Sequence, residues 1–516
     1  MRILIVFFVA HLVCVVSLAP TPCTKKDYGK GSFVCVCNEV SCDTVEANTP
    51  LTRGMLAQYT SSSRQHRLDK QVLKFEANAT GSYTYTINRT ETFQTVIGFG
   101  GAFTDAAGIN ILSLPPKAQD NLISSYFAPT GIEYTTGRIP MASCDFSTHT
   151  YSYDDHPNDF NLTQFSLAPE DLKYKIPIVQ KAMAISQRNI SIFGSPWSAP
   201  AWMKTNNNMT GKGSLIGQPG GPYYKTWANY FIRFLQEYEK HNISLWGLTA
   251  QNEPTDGEIT KFFFQCMGWT PEQQRDFIIQ DLGPALHQNG FRDVKLMILD
   301  DTRLMLPYWV EKVFISPAAR KYISGVGVHW YEDPFLPTLP LDNTHKNFPD
   351  LFLLATEACE GSMFYQMDKV SLGSWSRAQS YTRSIIQDLN HWVTGWTDWN
   401  IALDTQGGPN WAKNFVDSPV IVNATAKEFY KQPMFYALGH FSKFIVPGAK
   451  RISLSESGAV ETIETVAFLL PDDSVVLVIH NSLDGEYSMT LHDPDLGYAN
   501  VKLEPLSINT FIWWNK

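Results

Sequence analysis

The chain has 516 residues, 44% of them hydrophobic and 18% charged. That length exceeds one ordinary core and fits a large barrel with a smaller companion, and the composition excludes a disordered protein. The net charge is −9, and no basic run offers an electrostatic footprint for nucleic acid.

At the start, Arg2 precedes an apolar run from Ile3 to Val16, and Ser17 to Ala19 are small. This pattern predicts a secretory signal peptide over residues 1–19, with Cys14 leaving with it. The run is too short and too terminal for a membrane span. No later stretch is long and apolar enough, so a soluble or peripheral mature protein is expected.

Residues 20–47 form a small segment carrying Cys23, Cys35, Cys37 and Cys42, which an oxidising compartment would pair. Of the three connectivities, Cys23–Cys35 with Cys37–Cys42 is favoured because each bond closes a short loop. A zinc site is the alternative, but no histidine lies in the segment. Cys144, Cys266 and Cys359 are scattered and are expected to be free, buried thiols. Asn-x-Ser/Thr sequons at Asn78, Asn88, Asn161, Asn189, Asn208, Asn242 and Asn423 join the signal pattern in predicting a glycoprotein.

Residues 48–93 and 449–516 are rich in β-formers and turn signals, such as Pro471-Asp-Asp-Ser474 before Val475–Ile479. The two flanks could pair into one β-sandwich. Between them, over residues 94–448, short apolar runs alternate with amphipathic stretches. Strands are predicted at Gln94–Thr104, Glu133–Ser143, Ile190–Pro200, Leu245–Pro254, Val294–Asp301, Gly325–Tyr331, Leu351–Cys359 and Trp396–Leu403. Runs such as Leu351-Phe-Leu-Leu-Ala355 suit strands buried on both faces.

Among the helical stretches, Tyr223–Asn242 places Trp227, Tyr230, Phe231, Phe234, Leu235 and Tyr238 on one face. Thr270-Pro-Glu-Gln273 is a capping box with proline at the first helical position. Strands alternating with helices predict a (β/α)₈ TIM barrel. A doubly wound open sheet is the rival, but Gly98-Phe-Gly-Gly101 is not the Gly-x-Gly-x-x-Gly turn such a sheet more often shows.

Reactive groups in this barrel sit at the C-terminal strand ends. The fourth strand runs into Asn252-Glu253-Pro254, and the seventh into Thr356-Glu357. Strands 4 and 7 lie across the barrel mouth, so the two carboxylates can face each other over a ligand. Retaining glycoside hydrolysis needs such a pair about 5–5.5 Å apart, one attacking the anomeric carbon and the other protonating the leaving oxygen. An amide at Asn252 can hydrogen-bond a sugar 2-OH as the transition state forms. That marks Glu253 as acid/base and Glu357 as nucleophile.

Plainer readings stand beside this one. Both glutamates could be ordinary surface groups, and the scaffold could bind sugar or lipid without turnover, although a mere binder needs no opposed carboxyls. Asp145 could be a turn residue or a bidentate partner for two sugar hydroxyls. Trp197 and Trp399 could be core or stacking platforms. His329 reads as a satisfied core histidine with a supporting role. No His-Glu-x-x-His or paired ligand spacing occurs, so no metal and no cofactor is expected.

Ala250-Gln-Asn-Glu-Pro254 and Ala355-Thr-Glu-Ala-Cys359 closely resemble the catalytic segments of the glucosylceramidases of glycoside hydrolase family 30. So do Met141-Ala-Ser-Cys-Asp-Phe146, Ser195-Pro-Trp197, His329-Trp-Tyr331, Gly395-Trp-Thr-Asp-Trp-Asn400, Gly407-Gly-Pro-Asn-Trp411, Asn414-Phe-Val-Asp-Ser-Pro419 and Lys431-Gln-Pro-Met-Phe435. The spacing of Cys23, Cys35, Cys37 and Cys42 matches as well, and the likeness runs over nearly the whole mature chain.

The resemblance implies a barrel with a β-sandwich and a small N-terminal sheet. It implies hydrolysis of glucosylceramide to glucose and ceramide in the lysosome, at an anionic lipid surface and with a saposin-type activator. By position, Asp145, Trp197, Asn252, Trp399 and Asn414 would hold the glucose hydroxyls. Arg138 would steady the carboxylate pair, and Phe264, Tyr331 and Phe415 would line the mouth. Thr302 stands where a glutamine would be expected. Glu258 and Glu360 add acid near the catalytic loops, and Glu360, if close in space, would raise a carboxyl pKa. Apolar residues near Phe352 and Trp392 could be core or membrane contacts. A related retaining glycosidase acting on another sugar, such as β-xylose or galactose, is the alternative.

Overall fold

A computed structural model describes residues 19–81, 83–458 and 462–515. The predicted signal peptide lies almost wholly outside them. Eight parallel strands close into a barrel: β1 (Gly98–Ala102), β2 (Thr136–Met141), β3 (Ser191–Pro196), β4 (Gly247–Thr249), β5 (Lys295–Thr302), β6 (Ile323–His329), β7 (Phe352–Glu357) and β8 (Val393–Asn400). β8 returns to β1 with Gly395 opposite Gly98 and Trp396 opposite Phe99, which closes the ring. Every residue of β1, β2 and β8 is buried, the condition a strand packed on both faces must meet. At Gly100 a Cβ would stand 2.0 Å from the Thr136 carbonyl oxygen, so only glycine allows β1 and β2 to approach there.

The predicted first strand divides into two. Thr84–Thr95 is a strand of another sheet, and the barrel strand begins only at Gly98. Between them the Val96 and Ile97 amides bond to the carbonyls of Ala449 and Thr394. The chain therefore changes sheets without a turn residue to announce it.

The helices outside the barrel follow their apolar stripes. Pro222–Lys240 buries Trp227, Tyr230, Phe231, Phe234, Leu235 and Tyr238. Pro271–Phe277 starts with the predicted capping box: the Gln273 amide donates to Thr270 Oγ1 at 3.2 Å, and the Thr270 amide donates to Gln273 Oε1 at 3.0 Å. These bonds satisfy donors that a helix start otherwise leaves open. No helix among the described residues is long and apolar enough to cross a membrane.

A nine-stranded sheet draws Met55–Ser62, Asp69–Lys74 and Thr84–Thr95 from before the barrel and six strands from residues 450–513 after it. Tyr85 and Met489 come from one side of the strand order and Leu56, Leu477 and Phe511 from the other, with two strands between them, yet they share one core. The sheet therefore folds over on itself as a sandwich. Helix Pro433–Ser442 is buried along its whole length and joins sandwich to barrel, with His440 Nδ1 2.9 Å from Thr510 Oγ1.

The cysteine-bearing segment supplies two strands, Lys25–Asp27 and Phe33–Cys37, of a five-stranded sheet. The other three, Leu403–Asp404, Val420–Asn423 and Glu428–Lys431, follow β8. Cys23 pairs with Cys35 and Cys37 with Cys42, as the short loops favoured. Cys144, Cys266 and Cys359 are free and buried.

Candidate active site

The site is built around a buried guanidinium. Arg138 on β2 is fully shielded, which is tolerable only if its donors are all used by acceptors. Its Nε donates to Ser195 Oγ at 3.1 Å, and one terminal nitrogen donates to Asn252 Oδ1 and Asp300 Oδ2, each at 2.8 Å. The other terminal nitrogen donates to Glu357 Oε2. Arg138 also lies 4.8 Å from the ring centre of Trp197 and 5.4 Å from that of Trp399, so cation–π attraction backs the hydrogen bonds.

Glu357 is the last residue of β7, as expected. Its second oxygen accepts the Tyr331 hydroxyl at 2.5 Å. Glu253 is not at a strand end: β4 stops at Thr249, and Glu253 sits in the turn beyond at φ +40°. Its amide bonds to the Asp300 carbonyl at 2.9 Å, which holds this unfavourable backbone in place. Glu253 Oε1 lies 2.9 Å from His329 Nδ1, while His329 Nε2 lies 3.1 Å from Asp300 Oδ1. Oxygens of Glu253 and Glu357 and a nitrogen of His329 fall within 4.8 Å of one another. The same three groups could present ligands to a cation. Both His329 nitrogens already face carboxylates and Arg138 already pairs Glu357, so the donor chemistry is that of an ion network.

Asp300 is the residue that the sequence reading passed over. β5 carries a bulge between Leu299 and Asp301, where Leu299 and Asp300 take φ of +66° and +61°. The bulge re-aims the Asp300 side chain to Arg138, His329 and Thr356 Oγ1, the last at 2.6 Å. The only available signal was an Asp300-Asp301 pair at a predicted strand end.

A cavity of about 370 Å³ opens over this network, lined among others by Asp145, Trp197, Glu253, Phe264, Tyr331, Glu357, Trp399 and Asn414. Trp197 and Trp399 stack with ring centres 5.0 Å apart; nearly fully buried, they are at once core and cavity wall. Asp145 Oδ2 accepts the side-chain amides of Asn410 at 3.1 Å and Asn414 at 3.0 Å. Asn414 thus orients Asp145 besides lining the cavity, and Asn410, not expected at the site, orients Asp145 from behind the wall.

Residues 96–445 match the family described as the glycosyl hydrolase family 30 TIM-barrel domain. The chain belongs to glycoside hydrolase family 30. Residues 448–511 match that family's β-sandwich domain. Lysosomal acid glucosylceramidase of Mus musculus is 50% identical, with 95% of each chain covered. Putative glucosylceramidase 4 of Caenorhabditis elegans is 44% identical, again with 95% of each covered. Among solved structures, SrfJ from Salmonella typhimurium superposes with a TM-score of 0.81 at 28% identity, over 90% of this chain and all of SrfJ.

Several expected positions in this family 30 glycoside hydrolase lie elsewhere. Phe415 does not line the cavity; its ring packs against Gly408, where a Cβ would stand 3.0 Å from it, and Val416 lines the wall instead. Glu360 turns away from the carboxylate pair to accept from Gln366, so burial, not Glu357, raises its own pKa. Glu258 pairs at the surface with Lys212 at 3.0 Å. Thr302 is spent accepting the Leu304 amide at 3.2 Å. Asn252 and Arg138 lie beneath the cavity floor, and the Asn252 oxygen given to Arg138 leaves its NH₂ as the free end. Trp392 stacks on His345 at 3.7 Å, and Phe352 packs on Trp246 at 5.7 Å, so both are internal contacts.

Electrostatics follow from burial among opposed charges. Burial would lower the His329 pKa, but Glu357, Asp300 and Glu253 outweigh it and push it up to about 10. Burial would raise Glu253, yet the hydrogen bond and charge of His329 hold it below the ordinary range. Burial raises Glu357, and His329 and Arg138 only partly offset this. Burial also lifts Asp145 to about 7 against the Asn414 bond. Two carboxylates this close titrate as a unit.

Proposed function

We propose that this chain is a retaining β-glucosidase that hydrolyses glucosylceramide to glucose and ceramide by double displacement. The observation that carries the reading is the approach of Glu253 and Glu357 oxygens to within 4.8 Å of each other at one cavity. That gap suits a covalent glycosyl-enzyme and is too small to leave room for a water between carboxylate and sugar.

Glu357, held by Arg138 and Tyr331, attacks the anomeric carbon while Glu253 protonates the departing ceramide oxygen. Glu253 then takes a proton from water, which attacks the ester and releases glucose. Asp145, Trp197, Trp399 and Asn414 hold the sugar, and the free NH₂ of Asn252 serves its 2-OH. Arg138 and His329 hold the Glu357 and Glu253 carboxylates in place through bonds already made before the sugar enters.

A lipid aglycone is supported by the cavity mouth. Phe262, Phe263, Phe264 and Met363 line it. Around them Ile259, Phe263, Phe364, Tyr365 and Met367 are more than half exposed, which water alone would not favour. This rim suits a peripheral stance on an anionic lipid surface and is where a saposin-type activator would act. The lysosomal lumen is the proposed location, in line with the name of the mouse relative.

Purified protein assayed on glucosylceramide, with and without anionic vesicles, tests the reading against a panel of aryl glycosides. Glu357→Gln and Glu253→Gln should each lose roughly 10³-fold or more in turnover. With azide, the Glu253→Gly enzyme should yield a β-glycosyl azide and the Glu357→Gly enzyme an α-glycosyl azide. Near-normal turnover in either variant ends the proposal.

A further inference from the structure

Beyond the two glutamates and Asp145, a fourth acid faces the reaction cavity. Asp256 lies three residues after Glu253, in the same turn, and lines the cavity alongside it. Its backbone amide donates to the Glu253 carbonyl at 3.0 Å, which folds the turn back and brings the two side chains together. That places the Asp256 carboxyl within hydrogen-bonding reach of the Glu253 carboxyl. Two ionised carboxylates cannot bond there, because neither has a proton to donate.

The surroundings decide which partner is ionised. Glu253 has His329 Nδ1 at 2.9 Å on β6 and the Arg138 guanidinium on β2, with the Glu357 carboxyl across the gap. Among the described residues no cation pairs with Asp256: besides Glu253 it faces Asp301 from the end of β5 and Cys266 from the following loop. Asp301 is itself committed to the Thr255 amide and hydroxyl at 3.1 and 2.7 Å. The cations therefore stabilise charge on Glu253, and the proton stays on Asp256, whose pKa is pushed up to about 12 by burial and by Glu253.

We infer that Asp256 is a positioning residue for the acid/base, a neutral carboxylic acid that donates its proton in a hydrogen bond to Glu253. The inference rests on the catalytic reading given above. Its consequence is a pH setting. A donor aimed at the charged form of Glu253 makes that form easier to reach, so the protonated acid that cleaves the glycosidic bond is confined to lower pH. Asp256 thereby fits the site to an acidic compartment, and it fixes the Glu253 carboxyl within the turn that carries it.

The test is the pH profile of kcat/KM on an aryl β-glucoside for the full chain, wild type against Asp256→Ala and Asp256→Asn. The basic limb reports the protonated acid/base of the free enzyme. Removing the donor in Asp256→Ala should move that limb upward by roughly one pH unit. Asp256→Asn keeps a neutral donor and should leave the limb within a few tenths of a unit of wild type. An ionised Asp256 predicts the opposite: loss of its charge would move the limb downward in both variants. A downward shift, or no shift in Asp256→Ala, overturns the inference. Thermal melts of both variants separate misfolding from titration, and a soluble Asp256→Asn enzyme still decides the sign if Asp256→Ala does not fold. Lack of any turnover in the wild type would instead defeat the glycosidase reading itself.

Discussion

Replacing Tyr331 by phenylalanine removes one oxygen and leaves the ring, including its edge contact to His329 at 6.0 Å. What is lost is the hydroxyl bond to Glu357 at 2.5 Å and a 3.5 Å contact to Cys359 Sγ. A hydrogen bond to an ionised, buried acceptor contributes about 1.5–3 kcal/mol. At 1.36 kcal/mol per pKa unit, the nucleophile should rise by about 1–2 units. The sign is fixed by which form the hydroxyl favours: it donates, so it stabilises the carboxylate, and its removal disfavours ionisation. Attack needs Glu357 ionised, so the acid limb of kcat/KM should move to higher pH. Between the two midpoints the defect should deepen about tenfold per pH unit, while above both it should stay within a few-fold, because a more basic carboxylate is also a better nucleophile. The assay is hydrolysis of a fluorogenic β-glucoside from about pH 4 to 8, with a circular dichroism melt as the folding control. An acid limb that stays put or moves down in a folded variant would falsify the role given to Tyr331 and weaken that of Glu357.

Other outcomes follow from the same network. Arg138→Lys keeps the charge but cannot span Ser195, Asn252, Asp300 and Glu357 together, so kcat/KM should fall by roughly 10²–10³-fold and the denaturant midpoint should drop as Asp300 loses its partner. For His329 the folded pKa, about 10, exceeds the ordinary 6.5. Its stabilising contribution is therefore complete below about pH 6.5 and is lost as pH rises towards 10. Stability measured across that window should fall less steeply in His329→Gln than in the wild type; equal slopes would contradict the ion network. Of the seven sequons, Asn423 alone is half-buried, its NH₂ donating to Tyr430 at 3.1 Å, whereas the other six are exposed. Glycopeptide mass spectrometry should find Asn423 the least occupied.

The barrel was legible because strands buried on both faces leave nearly continuous apolar runs, and the family motifs pinned the two glutamates. The limits were physical. Phe93 to Phe103 contains no proline, asparagine or aspartate, so no such break marks where the chain leaves the sandwich at Thr95 and enters the barrel at Gly98. The strand character around Leu245–Pro254 hid the fact that Glu253 sits in a strained turn beyond a short β4. Asp300 depends on a bulge, a feature of pairing between strands, and bulges leave no trace in a single strand's pattern. Asn410 and His329 were visible as letters, but their roles come from partners distant in sequence, Asp145 for one and Glu253 with Asp300 for the other. Phe415 failed for the opposite reason: aromatic character says that a ring will be covered, not by what.

The five-stranded sheet joins the two disulfide loops to residues 403–431, with Cys35 opposite Lys431 and Cys37 opposite Phe429. A growing polypeptide leaves the ribosome with Cys23 to Cys42 far ahead of these partners. The oxidised loops must wait, one sheet edge open, until the whole barrel has been synthesised. The amino-terminal part is therefore no independent folding unit. Premature termination anywhere before residue 428 would strand it unfinished, however far the lesion lies from the reacting carboxylates.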